Sequence, residues 1–235
     1  MKEGIAIAVF GARKTGKTSW VRQHLKAEAP SRLAVWDHKH DPALKDLGTA
    51  YTDWRAFVRA MKADQFQIRY LPDFEQPMDG QFEIFCKACI LAGDLEMFVD
   101  ELPEVTKANR APPAWRFCVN VGRSYTNPRT GSTSTIGIIG AGQRAAECDK
   151  SFISNAEIIH CGRLAHVDDA VAMAKSLNCT AKELMALPNL HYVERRAGQI
   201  EPTRGELSFN THTVTKKVAA AAKTPKKPAL RKPTL

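Results

Sequence analysis

The apolar positions change period along the chain, and those changes predict the order of its elements. Gly4-Ile-Ala-Ile-Ala-Val-Phe10 is an unbroken run of small apolar residues, the pattern of a parallel strand covered on both faces. A glycine ends it. Thr18 to about Glu28 reads as a helix stopped by Pro30, and Arg32-Leu-Ala-Val-Trp-Asp37 as a second strand, which makes a βαβ unit. Asp53–Met61 predicts another helix, Gln65–Leu71 a strand, Gly80–Ala92 an amphipathic helix, and Asp94–Val99 an apolar strand.

The second half alternates in the same way. Pro103 to Tyr125 predicts two helices split at Pro112-Pro113, followed by a polar loop from Gly122 to Ser134 and a strand from Thr135 to Ala141. Ala156–Cys161 predicts a further strand, and Val167–Leu177 and Thr180–Leu187 predict helices, the last with Thr180 as N-cap and Glu183 at the capping-box position. Leu190–Arg195 and Gln199–Glu201, joined near Ala197-Gly198, predict a C-terminal β-hairpin. Strands alternating with helices predict an α/β fold, a mostly parallel central sheet with helices on both faces.

Charge divides the chain. Residues 216–235 hold seven Lys and Arg and no acid, leaving +2 of the net +9 to residues 1–215. The division predicts a folded domain over 1–215 and a disordered basic tail over 216–235, suited to neutralising nucleic-acid phosphates without reading sequence. With 44% hydrophobic and 25% charged residues the body has the composition of a folding domain, which excludes wholesale disorder. No apolar run approaches about 18 residues and the N-terminus carries no signal-peptide pattern, so a cytosolic protein without a membrane span is expected. The six cysteines are then expected to be reduced, and Cys86-x-x-Cys89 sits in a helix-like apolar stretch with no partner pair at zinc-site spacing.

The chemistry is concentrated in three places. Gly11-Ala12-Arg13-Lys14-Thr15-Gly16-Lys17-Thr18 fits G-x-x-x-x-G-K-[ST], and it lies between a buried strand and a helix, the setting a phosphate-binding loop needs. Its glycines let backbone N–H groups turn inward on a phosphate, Lys17 reaches the β- and γ-phosphates of ATP, and Thr18 offers a hydroxyl to Mg²⁺. Leu95-Glu-Met-Phe-Val99-Asp100-Glu101 ends an apolar strand on two acids. Asp100 is placed beside the first strand's loop to hold the metal, and Glu101 to activate an attacking water, which favours hydrolysis over transfer to an alcohol. Gln143 ends the third such strand, where its amide can meet the γ-phosphate or the water. Asp37-His38-Lys39-His40-Asp41 has no distant metal partners, and a solvated loop is expected.

These motifs, with Gln143-Arg144 and the stretch from Asp149 to Asp169, resemble the FtsK–HerA superfamily of DNA-pumping ATPases over about residues 4–195. The compact size looks like the genome-packaging ATPases of tailless icosahedral viruses with an internal membrane. The resemblance implies a ring, usually a hexamer, that hydrolyses ATP while moving double-stranded DNA through its centre. It implies host cytoplasm or virion as the place of action, and a capsid or viral-membrane partner. It also implies an arginine supplied by the neighbouring subunit. Arg123 is the first candidate and Arg69 the second, with Arg129, Arg144 and Arg163 as further options. Arg123 and Arg129 flank the polar loop, which is expected to line the pore. A nucleotide kinase and a nucleotide-switched nucleic-acid-binding protein are the competing readings.

Overall fold

A computed structural model describes residues 4–208; the basic tail and the last residues of the expected domain lie outside the described residues. The small-apolar run forms β1 (Ala6–Phe10), every residue of it buried. Alternate side chains enter two cores: Ile7 and Val9 join one, Ala8 and Phe10 the other. After the glycine loop α1 (Lys17–Glu28) turns Trp20, Val21 and Leu25 onto the first of these cores and stops at Ala29, in left-handed conformation just before Pro30. Next come β2 (Arg32–Trp36), a 3₁₀ turn at Pro42–Leu47 and the short, largely exposed strand β3 (Thr49–Tyr51); neither of the last two was expected.

Asp53 accepts hydrogen bonds from Arg55 and Ala56 N–H groups and so caps α2 (Trp54–Ala60). It is followed by β4 (Phe66–Tyr70), α3 (Met78–Ala92) and β5 (Leu95–Val99). The expected helix pair across 103–125 is present in shortened form. A single turn, α4 (Leu102–Val105), precedes α5 (Pro113–Asn120), which opens with a proline at its first position, where no intrahelical donor is needed.

The polar loop contains a small hairpin, β6 (Tyr125–Thr126) against β7 (Thr133–Ser134), before β8 (Ile136–Gly142). Then follow α6 (Lys150–Asn155), β9 (Ile158–Gly162), α7 (Val167–Leu177), α8 (Ala181–Ala186), β10 (His191–Arg196) and β11 (Thr203–Glu206). The last strand corrects the expected hairpin. Residues 197–202 are the connection, with Gly198 at φ 82, and Thr203–Glu206 rather than Gln199–Glu201 pair antiparallel with β10.

Nine strands form one sheet in the order β11-β10-β9-β1-β8-β5-β2-β4-β3; the seven from β9 to β3 are mutually parallel, β10 runs antiparallel to β9, and β11 is antiparallel in turn to β10. Two cores, one on each face, bear out the doubly covered sheet. One core is aromatic: Trp36 packs against Tyr70, Phe82 and Phe85, and Trp115 against Phe82 and Phe152. Removing one such buried ring costs about 3–5 kcal/mol.

One feature of the order is decisive for the site. The acidic strand β5 is not the direct neighbour of β1, because β8 is inserted between them and pairs with both. Parallel strands expose all their carboxyl ends on one edge, so the loops after β1, β8, β5 and β2 meet there.

Candidate active site

The glycine loop is tied down at its first residues. Gly11 N donates to the Gly142 carbonyl at 3.3 Å and Ala12 N to the Arg163 carbonyl at 2.7 Å, which fastens the loop to the ends of β8 and β9. Thr15, 2% exposed, donates to the Ala12 carbonyl at 2.9 Å. Lys14 at φ 63 and Gly16 at φ 96 turn the chain back toward α1 through left-handed backbone, and a Cβ at Gly16 would also collide with Leu207. The 12-residue helix that follows aims its unpaired N–H groups and positive dipole end at the loop.

Lys17 opens that helix and donates to the carbonyls of Gly11 (2.8 Å) and Ala12 (3.0 Å). Burial pushes its pKa down while Glu101 and Asp100 pull it up, so both acids lie within electrostatic reach of the ammonium. Asp100 follows β5 and is anchored by its N–H to the Trp36 carbonyl at 3.0 Å. Burial together with the neighbouring Glu101 and Asp37 pushes its carboxyl up to about 7. A carboxyl so placed among other acids fits a divalent cation, which would restore its charge.

Glu101 occupies left-handed backbone (φ 51, ψ 49) at the start of α4, an unusual conformation for a non-glycine residue. Burial pushes its pKa up, but hydrogen bonds from Lys39 and Gln143 outweigh it and hold the carboxyl below its usual range. Gln143 Nε2 donates to Glu101 Oε1 at 2.8 Å, and Lys39 Nζ lies 2.7 Å from the same oxygen. A cleft of about 480 Å³ opens here, lined among others by Ala12, Glu101, Gln143, Arg144 and His166. Behind it the fully buried Asp169 accepts from Arg144 Nε at 3.0 Å and Ala146 N at 2.9 Å, which pins the turn after β8 to α7.

Of the residues read from the sequence, the phosphate loop, Asp100, Glu101 and Gln143 meet at this edge. Of the candidate arginines, Arg144 lines the cleft, paired with Glu147 and Asp169, whereas Arg69, Arg123 and Arg129 lie elsewhere. Arg69 is a correction: its guanidinium is 8% exposed, pairs with the fully buried Asp37 at 2.5 Å and donates to the Gly48 carbonyl at 3.2 Å, so it is locked inside its own chain. Arg123 lies at the opposite, amino edge, where its carbonyl accepts from Gly4 N and its half-exposed side chain pairs with Glu157. Arg129 sits on the β6–β7 connection, donating to the Leu91 carbonyl at 3.1 Å. Cys86 and Cys89 are fully buried and burial pushes both thiols well above their usual range. Lys39 is the residue the sequence reading missed; the available signal was its position directly after the strand that borders the acidic one.

No family model matches the chain. It is 25% identical over 186 residues to Protein P9 of Pseudoalteromonas phage PM2, covering 77% of this chain and 79% of that protein. Among solved structures it is similar to the genome packaging NTPase B204 of Sulfolobus turreted icosahedral virus 2. The sulfate complex superposes with a TM-score of 0.66 at 17% identity, covering 88% of this chain and 98% of that one. The AMPPCP complex gives 0.65 at 18%, covering 88% and 99%. The bacterial conjugative coupling protein TrwBΔN70 gives 0.59 at 11%, covering 87% and 86%. The chain thus has the P-loop NTPase fold of viral genome-packaging NTPases and conjugative coupling proteins, and the resemblance to FtsK–HerA ATPases holds at the level of that fold.

Proposed function

We propose that this chain is an Mg-ATP-hydrolysing translocase of double-stranded DNA, most closely a viral genome-packaging motor. The observation that carries the reading is the convergence of Lys17, Asp100, Glu101 and Gln143 on one sheet edge, in a fold shared with packaging NTPases. Gly11, Ala12, Arg13, Lys14, Thr15 and Gly16 would wrap the phosphates with backbone N–H groups, and Lys17 would bind the β- and γ-phosphates. Thr18 and Asp100 would hold Mg²⁺, which when bound neutralises charge on the phosphate oxygens. Glu101 would take a proton from the attacking water at a carboxylate oxygen, while Gln143 orients both. ATP as the nucleotide is supported by the AMPPCP and ATPγS complexes described for B204.

Assembly as a ring, with six subunits as in the family the chain resembles, would let a neighbour supply an arginine to the site, the cleft's own Arg144 being held by Glu147 and Asp169. Arg123, half exposed at the far edge, is assigned that role toward a neighbour, and Arg69 is not. Contacts to DNA are expected with its backbone, through the β6–β7 loop around Arg129 and the basic tail, because a motor that moves any sequence cannot depend on base edges. Host cytoplasm or virion is the proposed location, with a capsid or viral-membrane protein as partner. Among the described residues no helix is long and apolar enough to cross a membrane. Phosphate release with and without linear double-stranded DNA tests the reading. Stimulation by DNA supports a motor, DNA-indifferent turnover points to a kinase, and absent turnover to a nucleotide switch.

A further inference from the structure

From Val105 to Ala146 the chain carries no Asp or Glu, although 25 acids in 235 residues would place four or five in a stretch of 42. Six cations fall within it, and five of them are engaged. Lys107 and Arg129 donate to the carbonyls of Pro103 and Leu91, while Arg110, Arg123 and Arg144 pair with acids outside the stretch. The sixth, Arg116 on α5, is exposed and makes no ion pair or side-chain hydrogen bond among the described residues. Lys150, the first residue of α6, is likewise exposed and unpaired among them.

These two cations stand on one rigid platform. Trp115 Nε1 donates to Asp149 Oδ2 at 2.9 Å, which joins the starts of α5 and α6, and Asn155 Nδ2 donates to Asn120 Oδ1 at 3.2 Å, which joins their ends. The rings of Trp115 and Phe152 pack between the helices at 5.4 Å. The two helices thus lie side by side and run the same way. Residues four apart share a helix face, so Arg116 and Asn120 line one crest and Lys150 and Ser154 the other, all of them exposed, as is Ser151. Arg, Lys, Asn and Ser are side chains that hold nucleic-acid phosphates. None of the five is apolar, whereas a face that lies on a membrane carries large apolar side chains.

We infer that the α5–α6 face is a contact surface for the backbone of double-stranded DNA, with Arg116 and Lys150 as its charged contacts. The inference rests on the DNA-translocase reading above and adds a surface of the folded domain to the hairpin loop and the tail. Charge complementarity selects the partner. The eight residues of α5 span about 12 Å, over which a duplex presents about seven phosphate charges. Neither helix contains an acid to repel them. Contacts of this kind touch no base edge, so they are independent of sequence.

The test measures binding of the full chain to linear double-stranded DNA without nucleotide, at about 50 and about 200 mM salt. Loss of two phosphate contacts lowers the salt slope by about 1.8, so the double variant Arg116→Gln/Lys150→Gln should narrow the affinity loss between those salts by about twelvefold. The change should be equal on A·T-rich and G·C-rich duplexes, and DNA-free phosphate release should match the parent. Lys175→Gln/Lys182→Gln removes the same charge from exposed positions on α7 and α8 and should keep the parent's salt dependence. An unchanged slope in Arg116→Gln/Lys150→Gln, or an equal fall in both double variants, overturns the assignment. Retained DNA affinity with lost binding to phosphatidylglycerol vesicles overturns it too, and makes the face a membrane contact. A parent chain that binds no DNA at either salt removes the translocase reading itself, whatever the variants do.

Discussion

The side-chain amide of Gln143 donates to Glu101 Oε1 across 2.8 Å, joining the ends of two adjacent parallel strands, β8 and β5. The bond fixes the carboxylate relative to the phosphate loop, because β8 pairs on its other side with β1. Gln143→Ala should therefore lower kcat by at least about tenfold, in line with loss of a positioned catalytic contact. Affinity for ATP and the melting temperature should hardly move, since Gln143 is only partly buried and lines the cleft. Equilibrium nucleotide binding and turnover on the same sample check the split.

Asp100 gives a prediction with a pH sign. Its folded pKa of about 7 stands above the ordinary 3.8, so the folded state favours the protonated carboxyl. The associated stability is present below pH 4, declines as pH rises, and is fully lost above about pH 7. Asp100→Asn should thus stabilise the metal- and nucleotide-free chain above pH 7 by about 2 kcal/mol, partial access to water keeping the figure modest. The gain should shrink toward pH 4. Denaturant melts across that range test it, and Mg²⁺-dependent turnover should be lost in the same variant.

The two arginines first considered for action in trans should behave oppositely. Arg69→Ala strands the buried Asp37 without its partner, which costs about 3–5 kcal/mol. Arg123→Ala breaks a half-exposed pair with Glu157 and a hydrogen bond to the Asn155 carbonyl and should cost about 1 kcal/mol, yet abolish turnover of the assembled ring. Mixing Arg123→Ala subunits with Lys17→Ala subunits should restore part of the activity if the arginine serves a neighbour; no restoration removes the assignment.

Gly16 is held at φ 96 with Leu207 where a side chain would go. Gly16→Ala should cost about 1–3 kcal/mol through strain and overpacking and weaken nucleotide binding with it. Leu207→Ala is itself costly because Leu207 is buried in the core, but in the double variant it should recover the overpacking part of the Gly16→Ala loss, so that the two costs together fall short of the sum of the single ones. Thermal melts of the single and double variants measure the recovery.

What could be read from the sequence follows from how far apart the deciding residues lie. The phosphate loop is self-contained: eight consecutive residues between a buried strand and a helix declare both geometry and chemistry. Asp100 and Gln143 could be placed at strand ends because parallel strands share an edge. The insertion of β8 between β1 and β5 was not legible, since strand order in a sheet is set by packing across distant segments. Arg69 looked like a free cation at a strand end because Asp37, its buried partner, lies 32 positions away. Lys39 looked like part of a solvated loop for the same reason, its partner being Glu101. The last strand was misplaced because Thr203-Arg-Gly-Glu206 has a single β-branched residue and no aromatic or large apolar one to mark a strand, and it is recruited by backbone pairing with β10 and the Thr203 hydroxyl on the Glu194 carbonyl.

Binding and hydrolysis of ATP by Lys17→Ala and Glu101→Gln, measured side by side on the full chain, bear most directly on the central claim that one sheet edge gathers a single hydrolytic site. Lys17→Ala should lose nucleotide binding, and Glu101→Gln should bind as the parent does while turnover falls at least about a hundredfold. Hydrolysis at the parent's rate in both variants would contradict the account.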